Sequence, residues 1–121
     1  MVRRFLADGA PDVAFGSGGL ATTSRYYLGD AQAESMVVLP GGGVLVVGNS
    51  GEGQTLLVRY TCDGAIDTSF GVHGALRIYL GEHGSLHTVR RLSNDRVLLG
   101  GADAGGTPGT GTYGVVVRMW M

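Results

Sequence analysis

The 121-residue chain contains no lysine, one cysteine, three prolines and no long apolar run. A lone cysteine, Cys62, cannot form an internal disulfide, so redox compartment is not readable. Without lysine, the nine basic residues are all arginine, and ten acidic residues bring the net charge to −1. The pairs Arg3-Arg4 and Arg90-Arg91 are not a basic stripe, so nucleic acid is not an expected partner. No stretch approaches the ~18 apolar residues that a spanning helix needs, so membrane insertion is not expected. Arg3 and Arg4 are not followed by the apolar core of a secretory signal. No segment sustains apolar residues at i, i+3, i+4 and i+7, so helix content should be small. Nucleophile elbows of the Gly-x-Ser-x-Gly type are absent, and the Gly-rich run 105–112 lacks the lysine of a phosphate-binding loop.

Glycine, by contrast, is abundant: 23 residues of 121, where ~7% is usual. It occurs among Val, Leu, Thr and Tyr runs without a Gly-X-Y period, the signature of short strands joined by tight turns. A repeat underlies the pattern. Asp8-Gly9-Ala10-Pro11-Asp12-Val13-Ala14-Phe15-Gly16 returns about 55 residues later as Asp63-Gly64-Ala65-Ile66-Asp67-Thr68-Ser69-Phe70-Gly71. Upstream, Arg4-Phe5 matches Arg59-Tyr60; downstream, the strand ending at Gly48 matches the one ending at Gly101. The chain is therefore expected to be one domain, 1–121, of two repeats, about 4–58 and 59–118, with the boundary near the Arg-aromatic strand.

Each copy yields four strand candidates: 20–28, 33–39, 43–49 and 54–61, then 75–80, 86–92, 96–101 and 113–120. Met1–Phe5 resembles the last strand of a copy and makes a ninth, free to cap an edge, add an outer strand or pair with another chain. Short strands at steady spacing predict an all-β fold. Four-stranded units of ~50 residues have the size of propeller blades.

The pattern Arg-aromatic-x-x-Asp-Gly-x-x-Asp-x-x-Phe-Gly-x-x-Gly, followed by a strand such as Gly43-Val44-Leu45-Val46-Val47-Gly48, resembles the Delta-60 repeat family. Arg59, Tyr60, Asp63, Gly64, Asp67, Phe70, Gly71 and Gly74 carry the likeness in one copy. Arg4, Phe5, Asp8, Gly9, Asp12, Phe15, Gly16 and Gly19 carry it in the other. Ser93-Asn94-Asp95-Arg96 departs from the Asp-Gly-Lys usual there. The resemblance spans nearly the whole chain. It implies tandem blade-like repeats of bacterial proteins that are often exported or surface-associated, and it implies no catalytic residues.

Two antiparallel four-stranded blades cannot close a propeller, which takes ~4–8. They would leave apolar faces larger than the ~300–600 Å² patch a monomer tolerates. The expected partner is the chain itself, in a homo-oligomer that completes the ring: a trimer is favoured, a dimer or tetramer possible. Met119-Trp120-Met121 should be buried at a contact between chains. The alternative fold is a single pseudo-symmetric β-barrel or sandwich that needs no partner.

Candidate chemistry is sparse. The pairs Asp8/Asp12 and Asp63/Asp67 read as structural turns with Gly9, Phe15, Gly16, Gly64, Phe70 and Gly71, since two carboxylates fall short of a Ca²⁺ shell. Glu82, His83 and His87 do not converge: on a strand, i and i+4 lie ~13 Å apart. Neither a metal nor a cofactor is expected. If the first strand of each copy lines a channel mouth, Arg25, Tyr26, Arg77, Tyr79, Glu82 and His83 are the residues to bind a planar or anionic ligand. The leading function is a non-enzymatic scaffold or interaction module that self-assembles through blade contacts. Two alternatives stand beside it. One is a propeller-type lyase or hydrolase with its site at a symmetric channel mouth. The other is a fragment of a longer bacterial surface repeat protein, because start and stop fall at the same point of the repeat.

Overall fold

The computed structural model describes residues 1–23, 31–50, 53–81, 83–93, 95–103 and 111–121. They form nine strands: β1 (Val2–Arg3), β2 (Leu20–Ala21), β3 (Gln32–Val38), β4 (Val44–Ser50), β5 (Gln54–Tyr60), β6 (Ala75–Tyr79), β7 (Gly84–Arg91), β8 (Arg96–Asp103) and β9 (Tyr113–Trp120). A single 3-10 turn, Pro40–Gly42, links β3 to β4, and no α-helix occurs among the described residues. The fold is all-β. Its three antiparallel sheets have the strand orders β1-β2, β3-β4-β5-β6 and β7-β8-β9, and none closes on itself, so the described residues do not form the barrel of the alternative fold.

The strands lie where alternation and turn residues put them, but their grouping differs from the expectation by one strand. Segment 75–80 was expected to open a second four-stranded unit; β6 instead pairs with β5, Leu57 opposite Leu76. In the same way β2 pairs with β1, Val2 opposite Ala21, and not with β3. The cause is the Asp-Gly loop between them. Arg59 donates its N–H to the Gly74 carbonyl (3.0 Å), and Asp67 donates to the Arg59 carbonyl (2.9 Å). These bonds fold the chain back on itself, so the loop is a hairpin connection within a sheet. The sheets consequently hold two, four and three strands. Most of the predicted strand 20–28 lies outside the described residues.

β3 and β7 each carry a bulge, between Ala33 and Ser35 and between Leu86 and Thr88. A bulge curls its strand over the partner. Opposite each sits a glycine with no room for a side chain: a Cβ on Gly48 would meet the Gln32 carbonyl oxygen at 2.5 Å, and one on Gly101 the Ser85 oxygen at 1.9 Å.

The main core lies between the two larger sheets. Leu45, Val47 and Leu57 from one face of β3–β6, with Phe70 from the loop before β6, meet Leu86, Val89, Val97 and Leu99 from β7 and β8. The opposite face of β3–β6 packs Val44, Val58 and Tyr60 against Val2, Phe15 and Ala21 of the β1–β2 unit. The β3–β6 sheet is thus covered on both faces, fully on one and partly on the other.

Candidate interaction surface

Two loops with one set of contacts anchor the molecule. In the first, Arg4 Nε donates to Asp12 Oδ2 at 2.7 Å and the guanidinium stacks 4.6 Å from the Phe15 ring centroid. In the second, Arg59 Nε donates to Asp67 Oδ2 at 2.7 Å and stacks 5.0 Å from Phe70. Asp8 Oδ1 accepts the Ala10 N–H (2.9 Å), and Asp63 accepts the Thr61 hydroxyl and the Ala65 N–H. The loops also touch each other. Gly16 donates to the Asp63 carbonyl, Arg4 Nη1 to the Cys62 carbonyl, and Gly64 lies against Phe15. The Thr61 hydroxyl and the Ala65 N–H hold the Asp63 carboxyl below its ordinary value. The Ser69 hydroxyl, then Arg59, does the same for Asp67. These carboxylates serve turns and ion pairs within the chain, and the described residues hold no group of three or more His, Cys, Asp or Glu suited to a metal.

Of the residues expected at a channel mouth, Arg77, Tyr79 and His83 fall within the described residues. Arg77 and Tyr79 lie on β6, the edge of its sheet opposite β3. Arg77 Nη1 donates to Gln54 Oε1 at 2.9 Å, and Tyr79 is exposed. His83 sits in the turn before β7, exposed. Arg25, Tyr26 and Glu82 lie outside the described residues. His87 has partners that spacing does not reveal: Ser85 Oγ is 2.8 Å from Nε2 and Glu34 Oε2 is 3.6 Å from Nδ1. This has the connectivity of an acyl-transfer relay. With the His87 side chain 54% exposed, however, it stands in water rather than in the excluded site such chemistry needs.

Three features are unfinished in the way a contact surface is. The first is a cleft of about 190 Å³ beside β1, lined by Ala33, Val46, Gly48, Leu56 and Val58, continuing into one of about 260 Å³ along Ala33, Met36 and Val46. The second is the far face of the β7–β9 sheet, where Val116 and Trp120 are each 71% exposed. Within one chain Trp120 is thus exposed. Strand alternation turns it away from the core, while Met119 and Met121 pack against that core. The third is the second edge of β9, eight residues long, with no partner strand among the described residues. Edges of this length are normally covered or blunted. Those of β3 and β7 carry bulges and that of β6 is only five residues long.

No family model, curated protein or solved structure matches the chain.

Proposed function

We propose that this chain is a non-enzymatic β-scaffold that assembles with copies of itself by face-to-face stacking of blade-like sheets, in the manner of the Delta-60 repeats its motifs resemble. One observation carries the reading. The face of β3–β6 that meets the β1–β2 unit is only half covered, while its other face is sealed by a three-stranded sheet. A stack built on one kind of junction, with uncovered faces at its ends, gains by adding sheets. The uncovered positions are apolar: Met36 and Val38 on one side, Val116 and Trp120 on the other. A closed ring of three copies remains the favoured assembly. Light scattering coupled to size exclusion tests the reading. A discrete multiple of 12.5 kDa is the expected result, and a well-folded monomer at all concentrations overturns it.

A further inference from the structure

We infer that the open edge of β9 takes β2 of a second copy of this chain, in place of that copy's own β1. Strands β7, β8 and β9 of one copy and β2 of the next then form a single four-stranded sheet. The inference rests on the self-assembly reading above and specifies its interface.

The register of the three arginine-bearing strands leads to it. Arg59 lies opposite Leu45 in the β4–β5 ladder, and Arg118 lies opposite Leu98 in the β8–β9 ladder. Each ladder continues from a bulged first strand, so β9 corresponds to β5. The Arg59 N–H points away from β4 and bonds to Gly74 at the start of β6; the Arg4 N–H bonds to Gly19 at the start of β2 in the same way. By this correspondence the N–H groups of Arg118 and, two residues before it, Val116 point out from the open edge of β9. The strand that β5 and β1 each hold is the one β9 lacks.

The side chains repeat the argument. Arg4 and Arg59 each hold an aspartate and cover a phenylalanine. Arg118 is exposed and has no ion pair or hydrogen-bond acceptor among the described residues. The matching seat, Asp12 with Phe15, is filled in the same chain by Arg4, on a strand that pairs through only Val2 and Arg3. β9 offers eight residues where β1 offers two, and Arg118 takes the place of Arg4.

The faces then fit. Ala21 of β2 already packs on the Val44–Val58 face of β3–β6. Extending that sheet with β9, β8 and β7 of a second copy carries Val116 and Leu98 over Met36, Val46 and the clefts beside β1. This is the placement that Leu57 and Leu45 have over Val89 and Leu99 in the sealed junction. The second copy fills the half of the face that β1 and β2 leave bare.

Two variants test the exchange. Val116→Pro deletes an outward N–H and leaves the β8 ladder whole; the oligomer should fall to the 12.5 kDa chain with its β circular dichroism retained. In a Cys62→Ser background, Thr22→Cys with Val115→Cys occupies the pair that corresponds to Arg77 opposite Leu56. Mild oxidation should give a ladder of covalently linked chains on a non-reducing gel, lost when either cysteine is omitted. This second test decides the matter if the proline variant does not fold. An oligomer that survives Val116→Pro and forms no cross-link overturns the strand exchange and leaves self-assembly standing. A monomeric parent chain overturns both.

Discussion

Leu86 and Val89 lie beneath the β3–β6 sheet with almost no exposure, whereas Ala33 and Met36, at the corresponding places in β3, face water. The two junctions of the molecule use corresponding positions but differ in how many strands cover them. Leu99 is sealed, and its counterpart Val46 is half-buried at the rim of a cleft. The difference shows that chemistry alone does not decide burial here. Valine, leucine and methionine occupy both junctions, and the number of strands laid across them sets which side chains leave water.

The comparison is broken most forcefully at its cores. Leu99→Ala should cost about 3–4 kcal/mol of unfolding free energy, whereas Val46→Ala should cost about 1, read from urea denaturation midpoints. Equal losses would mean that the second junction is as complete as the first. The next largest contrast is between the two loops. Gly64 (φ +86°) would place a Cβ 2.6 Å from the Gly16 nitrogen, so Gly64→Ala should cost about 3 kcal/mol in left-handed strain plus overpacking. Gly9, also at φ +86°, has open space around it, so Gly9→Ala should cost only the strain, about 1 kcal/mol. Thermal unfolding of the two variants separates the terms.

The arginine anchors come third. Arg59→Ala removes bonds to Asp67 and Ser69 and the stack on Phe70, an expected loss of about 2 kcal/mol. Arg4 is more exposed, 37% against 18%, so Arg4→Ala should cost about half as much, measured in the same denaturant series. The smallest effect is acidic. Asp63 and Asp67 are held below the ordinary 3.8 in the folded chain, so the unfolded chain binds more protons as pH falls. Their stabilisation is complete above that ordinary value and drains away as the pH drops through the depressed folded values. Melting temperatures between pH 6 and pH 2 should therefore fall less steeply for Asp67→Asn than for the parent chain.

Much of the fold was legible in the sequence. Turn residues bounded the strands to within a residue or two from β3 onward, and the extra N-terminal strand was countable. The pairing across the Asp-Gly loop was not, because a motif that repeats does not announce whether it joins two sheets or closes one. Its answer lies in two backbone bonds, Arg59 N–H to the Gly74 carbonyl and Asp67 N–H to the Arg59 carbonyl, which no side-chain pattern spells out. The Arg4–Asp12 and Arg59–Asp67 pairs were within reach of spacing, since both recur at the same separation. The meeting of Glu34 with His87 was not: it depends on two bulges stacking, and bulges leave no residue signature beyond glycines such as Gly48 and Gly101. The missing cover on β3 is a property of neighbouring strands, invisible to any window along the chain.

Asn49 reaches from the end of β4 to the bulge of β7. Its amide donates to the Leu86 carbonyl at 2.9 Å and its oxygen receives the Leu86 N–H at 3.2 Å, with Thr55 supporting it from β5. A side chain here imitates a rung of backbone. The groups of Leu86 that a foreign strand would need in order to zip onto the rim of β7 are already spent, so the molecule denies growth along that rim while leaving β9 open to it.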